Sequence, residues 1–123
     1  MMDSQNKEQT TYRFSIVTPT FNSAKTIFTT VDSVLNQSFN GRYEHIIIDG
    51  GSTDNTLQII ESKRTEYEAK GIRLKVISEK DNGIYDAMNK GIRLARGEIV
   101  GIINSDDWYE KDALRKGVKN GEE

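Results

Sequence analysis

The chain of 123 residues has no cysteine and one histidine, His45. Without thiols there is no disulfide framework and no sign of an oxidising compartment. With one imidazole there is little to hold a soft metal. No apolar run approaches the ~20 residues of a membrane span, and the polar opening from Met1 to Glu8 lacks a signal-peptide core. Seventeen basic residues against nineteen acidic ones give a net charge of −2, without the basic stripe that nucleic acid requires. These absences point to a cytoplasmic protein with no nucleic-acid partner and no transmembrane segment. The length suits one domain with a substantial core.

Several phosphate and hydrolytic chemistries are excluded by missing motifs. There is no Gly-x-x-x-x-Gly-Lys-Ser/Thr loop, and Gly50-Gly51-Ser52 does not complete Gly-x-Gly-x-x-Gly. The first apolar run carries no nucleophilic aspartate. No Gly-x-Ser-x-Gly elbow exists, and His45 sits inside a strand pattern, where a structural role suits it best.

What is present is an alternation of β-type runs and amphipathic stretches. Phe14–Thr18 reads as a strand stopped by Pro19. A helix capped at Asn22 or Ser23 follows, burying Ala24, Ile27, Phe28, Val31, Val34 and Leu35. Tyr43–Ile48 is a second strand whose apolar end suits cover on both faces. One helix is expected from about Asp54 to Lys70, stopped by Gly71. A third strand over Arg73–Ser78, a third helix from Ile84 towards Gly97 and a fourth strand at Ile99–Ile103 complete the pattern. Residues 1–12 are expected to be a disordered tail and 13–123 the folded unit.

Such alternation implies a mostly parallel sheet, and parallel strands send their carboxyl ends to one edge, where ligands bind. Asp49, Asp81, Asp106 and Asp107 follow three different strands and should converge there. Taken alone, Asp106 and Asp107 would also serve as caps of a helix near Trp108–Leu114. Convergence of all four favours a site for Mg²⁺ or Mn²⁺, hard cations that take carboxylate oxygens. Trp108 and Tyr109 fit a staple to the core better than a sugar platform. Lys90, Arg93 and Arg96 fit a solvated face.

The residues resemble the inverting family 2 glycosyltransferases. Ser15–Asn22 looks like that family's opening strand and Pro-x-aromatic-Asn turn. Ile46–Thr56 is similar to its Asp-Asp-Gly-Ser-Thr-Asp segment, with Gly50 in place of the second aspartate. Asp81–Gly91 matches a third motif, and Asn104-Ser105-Asp106-Asp107 the Asp-x-Asp region, with Asn104 where many relatives place the first acid.

The resemblance implies an α/β fold, a Rossmann-like GT-A three-layer α/β/α sandwich, here shortened at its carboxyl end. It implies transfer of a sugar, with inversion, from a nucleotide-diphosphate sugar, a UDP-sugar first, to a glycan or lipid-linked acceptor in polysaccharide biosynthesis. Location would be cytoplasmic, or peripheral to the membrane through the acceptor. Asp49 would bond the nucleobase, while Pro19, Thr20 and Asn22 line the nucleoside pocket. Asp81 and Gly83 would lie near base or ribose, with Asp86 beside the donor. Asp106 would face ribose or donor sugar, and Asp107, with Asp106, the Mn²⁺ or Mg²⁺. No residue matches the family's catalytic base, which is expected beyond Glu123. A non-catalytic metal–nucleotide binding module and a nucleotidyltransferase remain as alternatives.

Overall fold

The structure, a computed structural model, describes residues 11–117. Strand β1 (Tyr12–Thr20) leads to helix α1 (Ile27–Leu35), strand β2 (Tyr43–Asp49), the short helices α2 (Thr56–Glu61) and α3 (Arg64–Ala69), strand β3 (Arg73–Ser78), helix α4 (Ile84–Leu94) and strand β4 (Gly97–Ile102). The four strands form one sheet in the order β3-β2-β1-β4, and every pair is parallel. Of the expected tail, residues 1–10 lie outside the described residues. Tyr12 already belongs to β1 and is buried.

Strand periodicity assigns the two faces. Phe14, Ile16, Tyr43, Ile47 and Leu74 share a core with Ile27, Val31 and Val34 of α1, Ile60 of α2 and Tyr67 of α3. Val17, Ile46 and Ile48 face the other way and pack with Ala87 of α4. Cover on both faces explains why all seven residues of β2 are buried. On the α4 side the approach is close enough that a Cβ on Gly91 would run into Val17.

Three local expectations are corrected. Pro19 does not stop β1, which pairs with β2 through Pro19↔Ile48 and Thr20↔Asp49. The last β1–β4 bond runs from Ile103 N–H to the Val17 carbonyl, and Pro19 has the parity of Val17. Its missing N–H therefore faces the flank beyond the end of β4, where no ladder partner is needed. Helix α1 begins at Ile27, after a turn in which the Ser23 carbonyl accepts the N–H groups of Thr26 and Ile27. Phe28 is half exposed, with Lys63 Nζ 4.5 Å from its ring centroid.

The expected helix over 54–70 is divided between α2 and α3. Ser62 Oγ bonds back to the Ile59 carbonyl at 2.6 Å, and Lys63 N–H reaches Ile60 at 3.0 Å, a tighter three-residue closure. Ile60 and Tyr67 are nevertheless both fully buried, and Gly71 ends α3 at φ +75°.

Two buried polar networks cross the sheet. Glu44, with no exposed surface, accepts from Arg73 Nη1 at 2.8 Å, Ser15 Oγ at 2.5 Å and the Arg96 N–H at 2.8 Å. The carboxylate thereby joins β1, β2, β3 and the entry to β4, and these partners offset the several kcal/mol that an unpaired buried ion costs. On the other face Tyr67 donates to the Val31 carbonyl at 2.7 Å, so its oxygen receives His45 Nδ1–H at 2.9 Å. His45 Nε2 is then left to accept from Thr18 Oγ1 at 2.7 Å.

Burial lowers the His45 pKa from 6.5 to about 3, so the imidazole is neutral in the folded protein. The unfolded chain takes up a proton below pH 6.5 that the folded chain refuses, and stability must fall as pH falls through that window. Between pH 6.5 and 5 the expected loss is about 2 kcal/mol. With a single histidine in the chain, a denaturation series over that range isolates the effect. Constant stability would show that the imidazole charges in place.

Candidate donor-binding site

The four strand ends converge on one edge, as parallel pairing requires, and the loops that follow them are tied together by hydrogen bonds. Asn22, held at φ +48°, accepts the N–H groups of Thr53 and Asp54 on its Oδ1 at 2.8 and 3.3 Å. Its own N–H donates to Ser52 Oγ at 2.7 Å. A short polar side chain tolerates the left-handed backbone and bonds locally, which is why asparagine suits this position. Asp54 in turn accepts from the Ala24 N–H and from Thr56, whose hydroxyl is the main cause that lowers its pKa. The loops after β1 and β2 thus form one framework.

Two clefts open on this edge. The first, about 470 Å³, is lined by Pro19, Thr20, Gly50, Asp81, Gly83 and Ile84, among others. The second, about 730 Å³, includes Asn22, Lys25, Asp54, Asn104 and Asp106. Both touch Pro19, Ser23, Ile84 and Ser105, so they form one continuous groove from β3 to β4. Thr20 is buried, and its Oγ1 has no hydrogen-bond partner among the described residues.

Asp49 does not face this groove. Its carboxylate is fully buried and accepts the Gly51 and Ser52 N–H groups at 3.0 and 2.8 Å, Ser52 Oγ at 2.5 Å and Ser78 Oγ at 2.9 Å. It folds the turn after β2 and ties it to β3, and it lines neither cleft. The acid that lines the first cleft is Asp81. Its oxygens lie 3.0 and 3.1 Å from where a Cβ on Gly50 would stand, so a larger residue at 50 would crowd them. Asp81 Oδ1 accepts the Gly83 N–H at 3.0 Å, and Gly83 adopts φ +111°, a conformation reserved for glycine.

Asp86 is also withdrawn from the groove. It accepts the Asn82 N–H at 3.1 Å, just before α4, and lies 3.7 Å from Lys90. Lys90 is held mainly by Glu79 at 2.9 Å, which raises its pKa. Tyr85 points to solvent, 78% exposed.

No α-helix follows β4 among the described residues; the segment 111–117 is a succession of turns. The capping role for Asp106 and Asp107 accordingly lapses. Both are exposed, and neither is held by a lysine or arginine among the described residues. Asp106 lines the second cleft beside Asn104 and Ser105, whereas Asp107 lines neither. Tyr109 is buried, in keeping with a staple, but Trp108 is 58% exposed.

Among the described residues no three His, Cys, Asp or Glu side chains are grouped to enclose a metal. The donor set is two hard carboxylates beside a groove. That suits a Mg²⁺ or Mn²⁺ whose remaining ligands are water and phosphate oxygens, and does not suit a closed protein cage. Lys25, Lys80, Ser23 and Ser105 line the groove and were not singled out from the sequence. Only the position of Ser105 within the acidic motif hinted at its place.

Residues 15–123 match the profile of glycosyl transferase family 2. The chain is 42% identical over 100 residues to a chondroitin synthase of Escherichia coli, covering 81% of this chain and 14% of that protein. It superposes on the S. aureus TarS 1-349 structure in complex with UDP-GlcNAc with a TM-score of 0.77 and 33% identity, over 86% of this chain and 30% of that one. A glucosyl-3-phosphoglycerate synthase from Mycobacterium tuberculosis, in complex with Mn²⁺, UDP and glucosyl-3-phosphoglycerate, aligns with a TM-score of 0.52 and 28% identity, over 76% and 33% of the two chains. This protein belongs to glycosyl transferase family 2, and its sheet and helices have the GT-A arrangement. The chain spans well under half the length of these relatives.

Proposed function

We propose that the chain is the donor-binding part of a glycosyltransferase that takes a UDP-sugar together with Mn²⁺ or Mg²⁺. The observation that carries this reading is the continuous groove at the strand ends, with Asp81 in one part and Asp106 in the other. The first part, with Pro19, Ile84 and Ala87 on its walls, suits a planar base. Asp81 would accept the imide N–H of uracil through the oxygen not used by Gly83. Lys25 and Asp106 border the second part, which suits the diphosphate and its metal. A bound cation would neutralise the diphosphate as it departs.

Asp106 is the favoured metal ligand because it lines the groove, with Asp107 as its exposed neighbour. The acceptor, a glycan or lipid-linked molecule attacked with inversion, needs a base to deprotonate it. Of the acids that line the groove, Asp81 and Asp106 are given to donor and metal, and Asp54 already accepts from the Ala24 N–H and from Thr56. Among the described residues no helix is long and apolar enough to cross a membrane.

Calorimetry with UDP and CDP tests the base assignment, because cytosine lacks the imide donor. The wild type should prefer UDP, and Asp81→Ala should lose roughly 10- to 100-fold in UDP affinity with little change for CDP. Unaltered UDP affinity would remove Asp81 from the site. Incubation with labelled nucleotide sugars and Mn²⁺ separates the classes. Slow hydrolysis or transfer supports a glycosyltransferase, binding alone a module without turnover, and pyrophosphate exchange a nucleotidyltransferase.

A further inference from the structure

The segment after β4 carries the acidic motif but has little regular structure of its own, and its backbone is held by one stripe of side chains on and around α1. Thr26 Oγ1 donates to the Ser105 carbonyl at 2.8 Å. Thr30 Oγ1 donates to the Asp107 carbonyl and lies 3.0 Å from that of Ser105. Ser33 Oγ accepts the Tyr109 N–H at 3.1 Å. Gln37 donates to the Glu110 carbonyl at 2.7 Å and accepts the Leu114 N–H at 2.9 Å. Spacings of four, three and four place these residues on one side of a helix.

The carbonyls on either side of Asp106 are therefore both fixed by α1, while the Asp106 carboxylate itself is exposed. Thr30 is fully buried, so its hydroxyl has no water to turn to. A single threonine thus couples the core face of α1 to the backbone of the motif. A methyl group in place of that hydroxyl keeps the branching of the side chain but would leave the Asp107 carbonyl without its donor and press a carbon against it.

We propose that Thr30 is a positioning residue for the divalent metal: through the Ser105 and Asp107 carbonyls it sets where the Asp106 carboxylate stands. This rests on the reading of the groove as a metal–UDP site. Partners one step removed from a metal ligand typically change metal affinity 10- to 100-fold.

Thr30→Val preserves shape and removes the hydroxyl. UDP affinity is measured with Mn²⁺ and with EDTA, and the ratio of the two is the metal gain. The expected result is a fall in metal gain on the order of 10-fold in Thr30→Val, unchanged affinity in EDTA, and recovery in Thr30→Ser. Trp108 is the chain's single tryptophan and adjoins Asp107, so its fluorescence anisotropy reports on the same turn. It should drop in Thr30→Val and recover in Thr30→Ser.

Thr26 is only half-buried, so Thr26→Val serves if Thr30→Val does not fold. It should shift metal gain and anisotropy in the same direction by a smaller amount. A wild-type metal gain retained in full by Thr30→Val, or by Thr26→Val where that is the variant that folds, overturns this proposal alone. A wild type that binds UDP without any metal gain overturns the metal–UDP reading and this proposal with it.

Discussion

Asp106→Asn is expected to abolish the coupling between metal and nucleotide, with metal gain in UDP affinity falling on the order of 100-fold and affinity in EDTA unchanged. The amide keeps the shape of the side chain and removes the charge that a hard cation requires. Because binding free energies are reciprocal, UDP should tighten Mn²⁺ binding to the wild type by the same factor and lose that effect in the variant. Asp107→Asn should do less, since Asp107 lines neither part of the groove. Titration of Mn²⁺ with and without UDP decides the matter. A larger loss in Asp107→Asn would move the metal to the neighbouring carboxylate, and wild-type coupling in both would remove it from this motif.

Asp49→Ala should act mainly on stability. Four donors converge on this buried carboxylate, and hydrogen bonds to charged groups contribute roughly 1.5–3 kcal/mol each. Some of the freed donors can recover partners in water, so the net loss is expected at about 3 kcal/mol, a drop in Tm on the order of 10–15 °C. Asp49→Asn should rescue part of the loss, because the amide oxygen can keep the Gly51 and Ser52 N–H groups and Ser78 while its N–H₂ donates to the Ser52 hydroxyl. Thermal denaturation followed by circular dichroism gives the answer. If Asp49→Ala were as stable as the wild type yet bound UDP weakly, the carboxylate would belong to the ligand after all.

These two aspartates show where reading the sequence succeeds and where it stops. That both follow parallel strands and reach the same edge is legible in the alternation of apolar runs and amphipathic stretches. Which of them meets a ligand is not, because an acid after a strand can turn outwards or fold back onto its own loop. Asp49 folds back because Gly51 and Ser52 present two N–H groups and a hydroxyl within reach, and β3 brings Ser78 alongside. Asp81 then occupies the space above Gly50 that a second aspartate in the Asp-Asp-Gly pattern would crowd.

Helix boundaries show the same division. Apolar spacing located Ile27, Val31, Val34 and Leu35 on a buried face, and burial followed. The same spacing gave one helix over 54–70, because periodicity records which side is apolar and is insensitive to a tightened turn at Ser62 and Lys63. The expected helix near Trp108–Leu114 is replaced by turns, in which the Tyr109 and Leu114 N–H groups and the Glu110 carbonyl bond to Ser33 and Gln37 while the Ala113 N–H closes onto Glu110.

The sequence by itself determined the alternating α/β layers, the shared edge of the strand ends, the oxygen-only donor set and the resemblance that led to the family. These depend on residue type and on spacing along the chain. Tertiary structure alone decided that Asp49 folds back onto its own turn while Asp81 lines the groove, that Asp86 accepts the Asn82 N–H, and that Asp106 stands at the groove while Asp107 does not. Those outcomes turn on which donors from distant segments reach each carboxylate first, a competition settled only when the loops are packed together.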